Sequence, residues 1–120
     1  MAYANKEDQL RCWREHYARN RERHIKRIMI NKKSHTDAIR FLMIIELRKG
    51  CIDCGEKDIL CLEFDHKDDC EKKFNISIAR YNSTPLDKVK EELIKCDVRC
   101  ANCHRIRTAI KQKWWKVKWR

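Results

Sequence analysis

With 120 residues, the chain is long enough for one modest domain, or for a small core with an appended arm. Charged residues make up 39% of the sequence, and no run approaches the ~20 apolar residues of a membrane-spanning helix, which argues against a membrane protein. The first residues are too polar for a secretory signal, so we expect a cytoplasmic protein. In that reducing compartment the eight cysteines are better suited to metal binding than to disulfides.

The net charge of +11 is divided unevenly along the chain. Residues 1–49 hold 13 Lys and Arg against 6 Asp and Glu, and residues 101–120 hold 7 against none, so each segment has a net charge of +7. Residues 50–100 have a net charge of −3. Two basic segments around an acidic centre suit a metal site that acts on a polyanion. A merely solvated surface does not account for the absence of acidic residues from 104 to 120, so we favour a nucleic acid partner.

Two helices are predicted before Gly50. Asn5 is a suitable helix cap, and residues 6–30 have the spacing of a long basic helix with a narrow apolar seam. Residues 31–33 are expected to end this helix, and a second helix is expected over residues 35–49. The seam consists of Leu10, Trp13, Tyr17, His24 and Ile28. The second helix is expected to pack on the core through Ala38, Phe41, Leu42 and Ile45. The basic residues of the first helix that we assign to nucleic acid binding are Arg11, Arg14, Arg19, Arg21, Arg23, Lys26 and Arg27.

Two short apolar segments predict a β-hairpin in the centre of the chain. Residues 59–65 and 74–78 are rich in the apolar residues that favour strands. The polar segment 67–73 joins them, which predicts that His66 lies at the bend of the hairpin.

Two further helices are predicted after the hairpin. Thr84 and Pro85 are typical of a helix start, because threonine caps well and proline fits the first helical position. The buried stripe of this helix is expected to contain Leu86, Val89, Leu93 and Ile94. Residues 96–100 are expected to form a turn, and a last helix is expected to begin near Ala101.

Two pairs of cysteines form the most specific pattern in the sequence. Cys51 and Cys54 make one CxxC pair, and Cys100 and Cys103 make a second. One such pair could be redox-active, but two pairs have the ligand number of a closed tetrahedral zinc site. The 45 residues between Cys54 and Cys100 exceed the spacing of a simple zinc ribbon, which indicates an inserted element. The remaining cysteines are interpreted as buried or incidental thiols: Cys12, Cys61, Cys70 and Cys96.

The second cysteine pair also matches the CxxCH pattern of covalent haem attachment, because His104 follows Cys103. That reading leaves the first pair and the basic segments without a role, and haem attachment normally requires export. We therefore favour zinc at this pair.

Asp65, His66 and His104 are the residue types that a second, catalytic metal centre needs. A carboxylate such as Asp65 binds Mg²⁺ or a similar hard cation. Histidine is the side chain best suited to accept a proton from water at neutral pH. Residues that alternate along a strand point in different directions, so Asp65 can bind metal while His66 faces the attacking water. The alternatives are a solvated surface turn for the first two residues, and a spare zinc ligand or a phosphate contact for His104.

Residues 50–108 resemble the HNH endonucleases of the ββα-metal (His-Me finger) family. The resemblance is carried by CxxCG, then a strand ending in Asp-His, then CxxCH, and the stretch KCDVRCANCHRIRT resembles a small phage and bacterial branch with a four-cysteine zinc site. It implies an α+β fold, in which basic helices precede a ββα-metal core held by structural zinc. The domains would then be a basic helical arm at residues 1–49, a nuclease core at 50–108 and a basic tail at 109–120.

The resemblance also implies a reaction and a role for each site residue. Asp65 and His104 would hold one catalytic Mg²⁺ or Mn²⁺, and His66 would be the general base that hydrolyses phosphodiester bonds of double-stranded DNA. Arg105 and Arg107 would contact flanking phosphates. The family's middle asparagine has no counterpart just before the second cysteine pair, and the candidates for its role are Asn75 and Asn102. The expected location is the cytoplasm of a bacterium or of a phage-infected host cell, and the enzyme could be a monomer or a homodimer.

Two alternatives remain open at this stage. The protein could instead be a zinc-stabilised DNA-binding module without catalytic activity. In the tail, Trp114, Trp115 and Trp119 alternate with basic residues, so they could stack on bases or lie in a minor groove. They could equally pack back on the N-terminal helices.

Overall fold

The computed structural model describes residues 4–120, and its contacts divide the chain into two compact units on either side of the Ser34–His35 bond. This division falls earlier than the boundary at residues 49 and 50 that the sequence suggested. In the described part of the chain, no helix combines the length and apolar character needed to cross a bilayer. The architecture is α+β, with a long helix, a two-stranded antiparallel sheet and a four-cysteine cluster.

The first helix, α1, covers Lys6–Leu47 without interruption. Asn5 caps it as predicted, because its Oδ1 accepts a hydrogen bond of 2.9 Å from the backbone N–H of Asp8. The predicted break at residues 31–33 is wrong. None of these three residues is glycine or proline, and lysine is a good helix former, so local propensity does not stop the helix.

The N-terminal unit exposes the apolar seam that was predicted for it. Trp13 is 56% exposed and Ile28 is 61% exposed. The rings of Tyr17 and His24 stack with centroids 5.6 Å apart. Every basic residue assigned to nucleic acid binding on this segment is exposed.

In the C-terminal unit, the buried face of α1 differs from the predicted one. Phe41 and Ile45 are exposed, whereas Ile39 is fully buried and Met43 packs against the same core. His35 lies on the same helix face as Ile39 and Met43, four and eight residues before them, and its Nε2 is 2.7 Å from the backbone oxygen of Thr84. The predicted docking face was correct only for its partly buried members, Ala38 and Leu42.

Strand β1, Leu62–His66, pairs in antiparallel register with strand β2, Cys96–Cys100. The predicted hairpin is therefore wrong, and His66 ends β1 opposite Cys96 instead of lying at a bend. A short 3-10 helix, Ile59–Cys61, precedes β1, where a longer strand was expected. The segment predicted as a turn is a strand because Val98 and Cys100 are buried at alternating positions.

The segment predicted as the second strand instead contains a short helix, α2, at Ile76–Ala79. Its two buried residues are three positions apart, which fits one face of a helix and not the alternation of a strand. Helix α3, Leu86–Ile94, was predicted correctly, although Pro85 lies just before its first residue. The buried face of α3 differs from the predicted one at two positions. Ile94 is 77% exposed, and Glu92 is buried together with Val89 and Leu93.

Helix α4, Ala101–Lys111, begins where it was predicted and follows β2 directly. A second 3-10 helix, Trp115–Trp119, forms the tail. Two apolar clusters make up the core, one around Ile39 and Val89 and the other around Leu62 and Val98. Phe64 on β1 packs against both clusters and so connects them.

Candidate active site and metal centre

The two cysteine pairs meet in space as predicted. One ligand atom from each of Cys51, Cys54, Cys100 and Cys103 lies within 4.8 Å of all the others. The Sγ atoms of Cys54 and Cys100 are 3.7 Å apart. Tetrahedral zinc with Zn–S bonds of ~2.3 Å requires sulfur atoms ~3.8 Å apart. The cluster is therefore positioned to bind a metal ion such as zinc.

The backbone around these sulfurs is shaped for thiolate ligands. Gly50, with a φ of +85°, opens the first cysteine loop, and a Cβ there would lie 3.0 Å from the backbone oxygen of Glu56. Within this loop the N–H of Gly55 donates to the carbonyl of Cys51 at 3.0 Å. At the second pair, the Sγ of Cys100 accepts from the N–H of Cys103 at 3.4 Å and so caps α4. A metal here would join the loop after α1 to the junction of β2 and α4.

The cysteine pKa values differ within the cluster. Burial raises the thiol pKa of Cys51, but backbone hydrogen bonds, chiefly from Cys54, outweigh this effect and lower it to about 6. The pKa of Cys103 is raised, first by its hydrogen bond with Cys100 and then by burial. The Cys51 thiolate therefore forms readily at neutral pH, whereas deprotonation of Cys103 is favoured by a nearby cation.

Asp65 is a buried carboxylate whose two oxygens have different surroundings. Its Oδ2 accepts from the guanidinium groups of Arg99 at 2.9 Å and Arg107 at 2.7 Å. Its Oδ1 lies 3.5 Å from Nε2 of His104. Arg99 also pairs with Asp97, which lies directly opposite Asp65 in the two-stranded sheet. The arginine therefore offsets the repulsion between these two carboxylates. One oxygen of Asp65 is thus held by arginines, and the other faces His104.

His104 is oriented from its other side by Glu63. The Nδ1 of His104 and Oε2 of Glu63 are 2.7 Å apart. Because this contact occupies Nδ1, the Nε2 atom remains directed toward Asp65. The position of the ring depends on the first turn of α4, which Cys100 caps.

His66 is oriented by a carboxylate on a different element. Its Nε2 lies 2.7 Å from Oε1 of Glu92 on α3, and Glu92 is only 1% exposed. Glu92 also accepts from the backbone N–H of Lys73 at 3.1 Å and from Nζ of Lys95 at 2.9 Å. The buried carboxylate is therefore fully paired, and the contact leaves Nδ1 as the available nitrogen of His66.

A cavity of about 520 Å³ brings the predicted catalytic residues together. Asp65, His66 and His104 all line it. Of the two asparagines considered from the sequence, Asn75 lines this cavity, whereas Asn102 lines a neighbouring cavity of about 410 Å³ that also includes His104. Side chains from β1 and α4 and from the segment before α2 thus surround one space.

The basic residues near the site have different environments. Arg107, predicted to contact phosphate, is engaged by Asp65 at 2.7 Å and by Asp68 at 2.8 Å. Arg105 is exposed and lies over the ring of Trp114, with its guanidinium carbon 5.7 Å from the ring centroid. Of these two arginines, Arg107 is paired with carboxylates, whereas the guanidinium of Arg105 does not contact Asp65 or Asp68. In the tail, Trp115 is 71% exposed.

Three charged residues of the site were missed by the sequence analysis: Glu63, Glu92 and Arg99. Glu63 lies two residues before Asp65 on the same strand face, so alternation along β1 could have indicated it. Glu92 and Arg99 gave no local signal, because the site residues that they contact, His66 and Asp65, lie on β1, which is distant from them in sequence.

The buried Glu92 predicts a pH dependence of stability. Burial raises its pKa, but hydrogen bonds from Lys95, His66 and the backbone of Lys73 lower it to about 2, against an ordinary value of 4.5. Because the folded-state pKa is the lower one, the stabilisation is complete above about pH 4.5 and is lost as the pH falls toward 2.

We expect Glu92→Gln to flatten this dependence. Urea denaturation at several pH values would measure it, with Glu91→Gln as the matched control, because Glu91 is an exposed neighbour on the same helix. An unchanged pH profile in Glu92→Gln would contradict the prediction.

No protein-family model, curated protein or solved structure matches the chain. Function is therefore inferred from the side chains and their geometry.

Proposed function

We propose that the protein is a metal-dependent DNA endonuclease of the HNH type, with His66 as general base and with Asp65 and His104 as ligands of one divalent cation. The observation that carries the proposal is the shared cavity, where these three side chains meet although they come from two separated segments. Strands β1 and β2 pair although α2 and α3 lie between them in the chain, and α4 follows β2; this arrangement supports the ββα core that the resemblance implies.

The residues present fit a hard divalent cation. Two ligands that each lie ~2.1 Å from an octahedral ion are ~3.0 Å apart. The separation of 3.5 Å between Oδ1 of Asp65 and Nε2 of His104 is close to this value. Glu63 behind His104 and the two arginines behind Asp65 leave these two atoms available.

The reaction proposed is hydrolysis of a phosphodiester bond. A divalent cation on Asp65 and His104 would supply Lewis-acid stabilisation of the charge that develops at phosphorus and on the leaving oxygen. Nδ1 of His66 accepts a proton from the attacking water, and Glu92 keeps the opposite nitrogen engaged so that the ring remains oriented. The half-buried position of His66 limits competing hydrogen bonds from bulk solvent.

The distribution of charge supports DNA as the substrate. The exposed basic residues of the N-terminal unit and the acid-free segment from 104 to 120 both attract a phosphate backbone. The lining of the cavity contains two carboxylates, Glu63 and Asp65, and one lysine, Lys72, which favours a bound cation.

A non-catalytic DNA-binding module held together by zinc is the second candidate. The pairing of Asp65 with Arg99 and Arg107 favours it, because two guanidinium groups offset the charge that would attract a cation. The two candidates share the four-cysteine cluster and differ in whether Asp65 and His104 bind a second metal.

Metal-dependent cleavage of supercoiled plasmid distinguishes the candidates. We expect wild-type protein to nick DNA when Mg²⁺ or Mn²⁺ is added and not without added metal. We expect His104→Ala to lower the cleavage rate by about 10²-fold or more while DNA binding is retained. His16→Ala on the N-terminal helix is the matched control. Tight binding of plasmid by wild-type protein without nicking in any divalent metal would favour the non-catalytic module.

A further inference from the structure

The cavity of about 410 Å³ beside His104 is not used by the proposed reaction. Its lining includes Asn102, Arg105, Thr108 and Trp114. Such a volume lies within the ~300–1,000 Å³ range of small-molecule sites. The walls therefore combine an aromatic ring, a guanidinium, an amide and a hydroxyl with the carboxylate of Glu63, which contacts His104, in a space large enough for a ligand.

The end of α4 holds Trp114 in this wall. Lys113 has a φ of +53°, which reverses the chain after the helix. The backbone N–H of Trp114 then donates to the carbonyl of Ala109 at 2.9 Å, and its indole Nε1 donates to Oε1 of Gln112 at 2.9 Å. With Arg105 over the ring, these contacts fix the indole half-buried against α4.

We propose that this cavity binds one unpaired nucleobase of a DNA strand, stacked against Trp114 beside Arg105. A planar heteroaromatic ring matches the aromatic and guanidinium walls. Asn102 and Thr108 can exchange hydrogen bonds with the edge of a base. A base within a duplex is covered on both faces and paired along its edge, so only an unpaired or extruded base can enter.

The position of the cavity relates this base to the proposed scission. His104 lines both this cavity and the one that contains Asp65 and His66. The bound base would therefore belong to a nucleotide next to the phosphate at the metal site. This relation rests on the proposed function, whereas binding of a base does not.

The surrounding charge favours a nucleic acid as the source of the base. Residues 101–120 contain seven basic residues and no acidic ones. The 3-10 helix after Trp114 adds Trp115 and Trp119, which are 71% and 76% exposed, each with a lysine over its ring. A strand whose base enters the cavity thus has cations and further aromatic surface along its path.

Binding to single-stranded DNA with and without bases tests the proposal. The probes are a fluorescent thymine-containing oligonucleotide and an abasic oligonucleotide of equal length, compared at one salt concentration without catalytic metal. Both probes carry the same phosphates, so their affinity ratio isolates the contribution of bases.

We expect wild-type protein to prefer the base-containing strand. Trp114→Ala should weaken binding of that strand by roughly 5- to 150-fold, the ratio expected for loss of one stacked base, and leave abasic binding unchanged. Trp114→Phe should retain most of the preference, which guards against a folding defect in the alanine variant. Trp13→Ala is the matched control, because Trp13 is exposed on the N-terminal unit.

Equal affinity of wild-type protein for the two probes would overturn the proposal, as would a preference that Trp114→Ala leaves intact. Binding to anionic phospholipid vesicles that is lost in Trp114→Ala, with DNA binding unaffected, would show that the surface contacts lipid and would also overturn it. The readout needs no cleavage, so failure of the nuclease assay and failure of base binding are separate results.

Discussion

Replacing His66 by alanine is expected to lower the rate of DNA cleavage by about 10²- to 10⁴-fold, the contribution typical of a positioned general base. DNA binding should be unchanged, because the exposed basic residues are untouched. The fold should also survive, since Glu92 keeps its hydrogen bonds from Lys95 and the backbone of Lys73. We expect a loss of about 1.5–3 kcal/mol in the free energy of unfolding, from one hydrogen bond to a buried charge.

Single-turnover cleavage of supercoiled plasmid measures the effect, with zinc content and thermal melting as checks on folding. His16→Ala is the matched control, because His16 is exposed on the N-terminal helix. Cleavage by His66→Ala at the wild-type rate would remove His66 from the mechanism. Loss of cleavage together with loss of zinc would instead assign a structural role to this residue.

Replacing Cys103 by serine is expected to damage stability and cleavage together. Structural zinc contributes ~10–16 kcal/mol of binding free energy, which is comparable with or larger than the whole stability of a small domain. Weakening this site should release the junction of β2 and α4, where Cys100 caps the helix. His104 lies in the first turn of that helix, so its position relative to Asp65 should be lost as well.

Metal analysis, thermal melting and plasmid cleavage on the same preparation test this prediction. Wild-type protein should contain one tightly held zinc per chain, and Cys103→Ser should contain less and melt at a lower temperature. Cys61→Ser is the matched control, because Cys61 is an exposed thiol outside the cluster. Full zinc content and an unchanged melting temperature in Cys103→Ser would contradict it. A haem absorption band in the wild-type protein would support the cytochrome alternative instead.

The structure also explains why the two expected effects differ in kind. His66 contacts Glu92 through one nitrogen at the end of β1, so its removal affects one partner. Cys103 belongs to a cluster in which two distant segments meet, so its removal affects the connection between them. A substitution of His66 therefore tests the proposed reaction, and a substitution of Cys103 tests the stability of the fold.

Short-range patterns in the sequence were sufficient for the features that depend on neighbouring residues. Each CxxC pair sets the distance between its own two sulfurs, and the repetition of the pair indicates a tetrahedral site. Capping by Asn5 and the starts of α3 and α4 follow from local backbone preferences. These features were predicted correctly because their physical causes lie within a few residues along the chain.

The tertiary structure alone decided which distant segments meet. A two-residue turn signal is absent around β1, so nothing local indicated that its partner is β2 and not residues 74–78. The continuity of α1 through residues 31–33 is a separate case, because it agrees with local propensity: none of these residues is glycine or proline.

The partners of the three catalytic candidates were decided in the same way. Hydrogen-bond donors from β1, the loop at Lys73 and the end of α3 converge on Glu92. Without these donors, burial of its carboxylate would destabilise the fold. The sequence by itself therefore indicated which residues are the candidates for the proposed chemistry, Asp65, His66 and His104. The tertiary structure decided which atom of each is held and which is free, because that depends on side chains brought together only by folding.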